Sequence, residues 1–579
     1  MQYPGSFARS VVLALSLLSG CAAAQPSGDP ADAADTQSGA AAAPGGAAAF
    51  LAGRFAVRQG DLDRGADELM RALATDPNDP DVKRQAFLAA LLAGRPEAVQ
   101  LAAWQDENPA AQLLLGDVEA LHGNWEGARR RFEALPKQGL TELLQPLLLA
   151  WSDFGAGKAD AALAQLTPYT ENERIRAVFT FHDALIADLA GHSADAGRLY
   201  NAARNEFGIA NLSLVRAMAS WQAREGHEAE ARQTISLVND MGDELAVSTP
   251  RLLTLLATRP VRSATEGLAE VYLAFAVLLR QQDAGDFANV MLRLALDLRP
   301  DLSTARLVAA ESLEQAKHPE AALALLAPVP PTDPIAPSID LRRAALYDVL
   351  GKTEESLRIL NALSAAYPDR PEPWSLQGDV LRAKHRFPEA VVAMTKAIAL
   401  SGPPSRAQWS LYYERGIAEE RSHQWPAAEA DFQKALELSP DEPSVLNYLG
   451  YSWTEQGHDL PRAEQMIKRA AEARPNDGAI VDSLGWVQLR RGDVASAVKS
   501  LERAVEMQPE DATINGHLGD AYWAAGRRLE AQYQWRRALT LNPDPDDLQH
   551  LQTKLHEADQ ALGTATTAAK TLPPAPAQP

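Results

Sequence analysis

Small and bulky residues recur along the carboxy-terminal third of the chain with a period much longer than one helical turn. Five segments align on a glycine, at Gly378, Gly416, Gly450, Gly485 and Gly519, spaced 38, 34, 35 and 34 residues apart. Twelve or thirteen positions on stands Ala390, Ala428, Ala463, Ala497 or Ala531. A bulky residue follows at Met394, Phe432, Ile467, Leu501 and Trp535, and then Ala397, Ala435, Ala470, Ala504 and Ala538. Proline closes four of the five, at Pro440, Pro475, Pro509 and Pro543, with Gly402 in its place in the first. The spacing predicts pairs of antiparallel helices joined by turns such as Gln456-Gly457 and Arg491-Gly492-Asp493. The glycine and alanines fall where the two helices touch, and the bulky residue fills the space beside them. Proline starts the next unit because it cannot continue a helix interior. The unit at 443–477 carries one extra residue near His458, which a turn can absorb.

Upstream the pattern is looser. Gly53, Gly60, Leu69, Ala72 and Pro77 fit one unit, with Gly65 where alanine is usual. Gly116, Trp125, Ala128 and Phe132 suggest another, and Ala276, Ala288, Leu292, Ala295 and Pro300 a third. Between about 136 and 262 the helical period persists while the consensus fades. Residues 46–370 therefore read as about eight degenerate hairpins, with the proline-rich run Pro328 to Pro337 as the joint. Residues 371–543 hold the five regular units. Residues 544–562 form a capping helix, which an array needs because its last unit otherwise exposes an apolar face.

The five-fold pattern resembles the tetratricopeptide (TPR) repeat, a 34-residue helix–turn–helix unit. That resemblance implies an all-α fold, a right-handed solenoid with a concave groove lined by the first helix of each repeat. Carried over position by position, the groove residues would be Asp379, Arg382, Tyr413, Asn447, Tyr451, Asp482, Trp486, Asp520 and Trp523. Aromatic rings beside hydrogen-bonding groups are common anchors for protein partners. Trp486 and Trp523 read equally as such anchors or as rings packed on neighbouring helices. Trp374, Trp425, Trp453 and Trp535 are assigned to the core. The chaperone-tail clamp known in this family needs Lys and Asn where this chain has Ser375, Asp379, Tyr413 and Ile417, so that activity is not expected.

The amino terminus changes the picture of where such an array would act. Arg9 precedes an apolar run, Val11 to Leu18, of eight residues. A bilayer span needs about 20, so the run reads as a secretion signal. The only cysteine follows at once, in Leu18-Ser19-Gly20-Cys21. This resembles the bacterial lipobox, which implies removal of residues 1–20 and lipid on Cys21. Ala22, where Asp would resemble an inner-membrane retention signal, favours the outer membrane of a Gram-negative envelope, facing the periplasm. Residues 21–45 read as a flexible tether and 563–579 as a disordered tail, because neither can offset its ordering entropy by burial.

Charge and chemistry narrow the function. The 579 residues carry 55 Lys+Arg against 76 Asp+Glu, a formal charge of −21. This excess disfavours nucleic acid, which needs clustered cations. A single cysteine excludes an internal disulfide framework and cysteine-rich metal sites. No metal, cofactor or small-molecule substrate is expected. Gly351-Lys352-Thr353 is read as an inter-helix turn, since Leu346 stands where a phosphate loop needs glycine. His423, His458 and His517 are assigned to turns or the surface. Nothing marks an enzyme.

The runs Leu446 to Gly457, Ile480 to Asp493 and Ile514 to Gly526 resemble outer-membrane TPR lipoprotein adaptors that partner a periplasmic carboxyl-terminal processing protease. The resemblance implies a non-enzymatic scaffold that gathers the protease and its cell-wall hydrolase substrates. The alternative is an export or assembly factor, pilotin-like or serving polysaccharide secretion, acting on an outer-membrane pore.

Overall fold

The computed structural model describes residues 45–570, apart from 106, 171–175, 208–210 and 283. Among the described residues every regular element is a helix. They form two compact units divided between Pro373 and Trp374. The division does not fall at the proline-rich run. That run is fastened inside the first unit: Ile335 is buried, and the Arg343 guanidinium donates to the carbonyls of Leu326 (2.6 Å) and Val329 (3.2 Å).

The first unit opens with hairpins α1 (Gly46–Arg58)/α2 (Leu62–Thr75), α3 (Pro80–Leu92)/α4 (Glu97–Ala102) and α5 (Pro109–Leu121)/α6 (Trp125–Glu133). Then come α7 (Gly139–Gly155)/α8 (Ala159–Thr170), α9 (Arg176–Ala190)/α10 (Ser193–Phe207) and α11 (Leu212–Arg224)/α12 (Glu228–Ser236). Two short helices, α13 (Asp243–Ala246) and α14 (Thr249–Thr254), interrupt the order where the repeat consensus fades. The order resumes with α15 (Ala264–Arg280)/α16 (Gly285–Leu298), α17 (Ser303–Gln315)/α18 (Pro319–Leu326) and α19 (Ala336–Val349)/α20 (Thr353–Ala366). The described residues thus hold nine hairpins here, against about eight expected. Side-chain oxygens of Asp61, Asp79, Asn108 and Asn124 accept the free N–H groups at their helix starts, which sets where each helix begins. Gly351, with φ +72°, makes the turn between α19 and α20, as the Gly-Lys-Thr reading expects.

One hairpin of this unit does not continue the stack outward. Helix α15 packs on α5, α7 and α9, and α16 packs on α3 and α5. All of these are first helices of their hairpins, so the inner face of the amino-terminal hairpins is filled by the chain itself. Leu268, Val271 and Tyr272 of α15 are fully buried, each apolar side chain contributing about 1.5–3 kcal/mol. Gly267 lies against the Trp151 ring where a β-carbon would collide. Trp151 is itself fully buried, and its indole N–H donates to His182 Nδ1 at 3.1 Å.

The second unit contains five hairpins and a cap: α21 (Glu372–Ala383)/α22 (Phe387–Leu400), α23 (Trp409–Arg421)/α24 (Trp425–Leu438), α25 (Pro443–Gln456)/α26 (Leu460–Ala473), α27 (Gly478–Arg490)/α28 (Val494–Met507), α29 (Ala512–Ala524)/α30 (Arg528–Thr540) and α31 (Pro545–Lys570). The predicted contacts are met. A β-carbon on Gly378, Gly416, Gly450 or Gly485 would meet Met394, Phe432, Ile467 or Leu501 at 2.5–2.7 Å. The ten repeat alanines, from Ala390 to Ala538, are all fully buried. The extra residue near His458 is taken up by Gly457 and Asp459, both left-handed, with the Asp459 carboxylate capping α26. Leu551 and Ala558 of α31 are buried against the last hairpin. The backbone of α31 stays helical to Lys570, past the expected end at 562, and residues 571–579 lie outside the described residues.

Candidate partner-binding face

In the second unit α25 packs on α27 and α27 on α29, whereas the second helices α24, α26, α28 and α30 each pack on their own first helix and on the next helix. First helices of successive repeats therefore share one inner face. Every groove position named from the sequence lies on these helices.

The structure draws three of them, with one unexpected residue, into a single cluster. The His517 ring lies on Trp486, with centroids 4.1 Å apart and planes at 14°. Its Nδ1 contacts Asp482 Oδ2 at 2.9 Å, and the Tyr451 ring stands 6.4 Å away. His517 is buried in α29, which corrects its assignment to a turn or the surface. Its place in the middle of a helix, two residues before Gly519, was the available signal. Burial works against its charge, but Asp482, with help from Asp520 and Glu455, outweighs this and raises its pKa. His423 and His458 are exposed turn residues, as expected.

Most groove positions also have internal partners. Trp486 donates its indole N–H to Glu455, and the Arg490 guanidinium lies 5.7 Å from its ring. Asp520 accepts from Trp535 Nε1 (2.9 Å) and Lys554 Nζ (2.7 Å). Trp523 lies 5.4 Å from Trp535, with Arg528 over it at 3.8 Å. Arg382 pairs with Glu414 at 2.7 Å, and Asp379 also has a partner within the fold. Tyr413 is packed among Trp409, Phe432 and Tyr448, and burial pushes its phenol up to about 12. Both tryptophans pack on a neighbour, as the second reading expects, and stay partly exposed. Of the four assigned to the core, Trp453 and Trp535 are buried, and Trp374 and Trp425 half-buried.

Asn447 differs from the rest: its Oδ1 is buried on this face with no hydrogen-bond partner. The hydroxyl pKa of Tyr451, one turn on, is raised by burial and by Glu455, Asp482 and Asp547. Four successive first or capping helices thus bring Glu455, Asp482, Asp520 and Asp547 around the Tyr451–His517 pair. Among the described residues no group of His, Cys, Asp and Glu could hold a metal ion. The Cys21 lipidation site and Leu18, Ser19 and Gly20 lie outside the described residues.

Comparison with known proteins bears on the repeats alone. Human Tetratricopeptide repeat protein 13 is 33% identical over 111 residues, 19% of this chain, which spans 12% of that protein's length. A chain of the APC/C hetero-tetramer Cut9-Hcn1 is similar over 89% of this chain and 96% of its own, at 15% identity and a TM-score of 0.37. A tetratricopeptide repeat protein from Parabacteroides merdae is similar over 50% of this chain and 98% of its own, at 14% identity and a TM-score of 0.32. Residues 413–478 and 483–546 match the Tetratricopeptide repeat family model, and these hairpins of the second unit are tetratricopeptide repeats.

Proposed function

We propose that this chain is a non-enzymatic adaptor whose second unit grips protein partners along its inner face while lipid on Cys21 holds it at a bacterial envelope, at the outer membrane facing the periplasm. Tetratricopeptide repeats imply a protein–protein interaction scaffold. The observation that carries the reading is the contrast between the two inner faces. That of the first unit is filled by α15 and α16, while that of the second presents partly exposed Tyr451, Trp486 and Trp523 beside the unbonded Asn447 Oδ1.

No helix among the described residues is long and apolar enough to cross a membrane, so in this reading the anchor is the lipid. The resemblance to envelope adaptors supports a periplasmic carboxyl-terminal processing protease and its cell-wall hydrolase substrates as partners. Holding both on one tethered body raises their effective concentration without new chemistry. Affinity purification of the mature protein from envelopes tests the scaffold: stoichiometric partners are expected, and a clean chain without any contradicts it. Cys21→Ala tests the anchor: the variant should leave the membrane fraction with its fold intact, and unchanged association would end that part of the reading.

A further inference from the structure

Charge is sorted between the two sides of the second unit. From Trp374 to Ala524 the first helices carry seven acidic residues against four basic ones. The second helices, α22 to α30, carry nine acidic against ten basic. The four first-helix cations are engaged within the fold, while Glu455 and Asp547 each accept from one neutral donor, Trp486 Nε1 and Thr513 Oγ1. Arg382 is on Glu414, Arg415 holds Asp431 through two bonds of 2.6 and 2.8 Å, Arg421 lies over Phe387, and Arg490 lies over Trp486. One buried oxygen among the groove positions, Asn447 Oδ1, has no hydrogen-bond partner. It is an acceptor, so a guest that satisfies it must bring an N–H or O–H group. The rings already hold cations of this chain, with Arg528 3.8 Å from Trp523 and Arg490 5.7 Å from Trp486.

The terminal segments outside the described residues do not match such a face. Residues 1–44 contain Arg9 as their only cation, beside Asp29, Asp32 and Asp35, and residues 571–579 carry no charge. The fitting occupant comes from another molecule.

We infer that the inner face of α25, α27 and α29 docks an extended segment of a protein partner bearing lysine or arginine, with the segment's donors meeting Asn447 and its cations meeting Glu455 and Asp547. The inference rests on the adaptor reading and names the chemistry of its partner. Electrostatic complementarity of this kind sets specificity and association rate, and it weakens as salt screens it.

The probes are short fluorescein-labelled peptides in which alanine alternates with lysine, glutamine or glutamate, titrated into the mature chain and followed by anisotropy. The lysine peptide should bind at least about tenfold more tightly than the glutamine peptide, and lose affinity with added salt. Asn447→Ala, and separately the pair Glu455→Gln with Asp547→Asn, should each weaken it about threefold or more. Glu437→Gln removes an exposed carboxylate from the outer helix α24 and should leave binding unchanged. Equal binding of the three peptides overturns the inference, and so does an equal loss in Glu437→Gln, which would mark diffuse attraction to an acidic chain. Sedimentation showing that a second copy of this chain occupies the face would also overturn it. If partners cross-link to the inner face while peptide charge makes no difference, charge recognition falls and the adaptor reading stands.

Discussion

The Tyr272 hydroxyl donates to Asp117 at 2.9 Å, joining two buried residues 155 positions apart. The bond clips α15 onto α5 and so closes the inner face of the first unit. Burial holds the Asp117 carboxyl well above the usual carboxylate range, despite the Tyr272 bond and with Asp297 adding to the rise. Tyr272 therefore donates to a carboxyl whose charged form burial disfavours. Tyr272→Phe should cost about 1–2 kcal/mol, the typical value of a buried hydrogen bond with one partner left behind. Asp117→Asn should cost less near neutral pH, because the acceptor survives. Denaturant unfolding of both variants checks the order.

Two helix glycines, Gly485 at a repeat position and Gly516 outside the repeat positions, separate contact from propensity. A β-carbon on Gly485 would stand 2.5 Å from Leu501 Cγ, while one on Gly516 would meet only Leu551, at 3.5 Å. Gly485→Ala should destabilise the second unit by about 1–3 kcal/mol through overpacking. Gly516→Ala should be neutral or stabilising by up to about 1 kcal/mol, as expected for replacing glycine inside a helix. Thermal unfolding of the two variants decides it, and equal effects would contradict the packing account.

His182 gives the first unit an acid sensitivity. Burial pushes its pKa down to about 3, and as acceptor of the Trp151 N–H it is neutral in the fold. A lowered pKa means the unfolded chain takes up this proton first, so the contribution is complete above pH ~6.5 and lost as pH falls toward 3. Asp183, raised to about 6 by burial, acts in the opposite sense at lower pH, so the test is a difference. His182→Gln keeps an acceptor but removes the titration. The gap between wild type and variant should shrink as pH falls below 6.5, and a pH-independent gap would refute the neutral buried state.

His517 behaves with the other sign. Its pKa is raised in the fold by Asp482, so the pair's contribution is fully present below pH ~6.5 and is lost as pH rises through the folded value. Asp482→Asn should destabilise the second unit more at pH 5.5 than at pH 8.5, as read by chemical unfolding at each pH. The reverse order would show that the imidazolium is not what Asp482 holds.

Much of this arrangement was legible in the sequence because repetition averages out local noise. One glycine is weak evidence for a close helix contact, but Gly378, Gly416, Gly450 and Gly485 each face the bulky residue sixteen or seventeen positions on. The capping helix could be read for the same reason, since Leu551 and Ala558 complete an apolar end. What the sequence did not show depends on contacts with no period. Nothing near Tyr272 announces Asp117, and nothing in α15 distinguishes a hairpin that fills a groove from one that extends a stack. His517 was misplaced because a histidine carries no sign of its partner, and Asp482 lies 35 residues away. The groove positions were placed on the right helices, but most of their polar groups proved to be held internally, which repeat spacing cannot report.

The central claim, that the inner face of the second unit holds partners, is tested most directly by site-specific photo-cross-linking in envelopes. One chain carries the cross-linking residue in place of Glu455 on α25, and another in place of Val392, which is 62% exposed on α22. The account predicts a discrete partner adduct from position 455 and none from 392. Adducts from 392 alone, or equally from both, would contradict it.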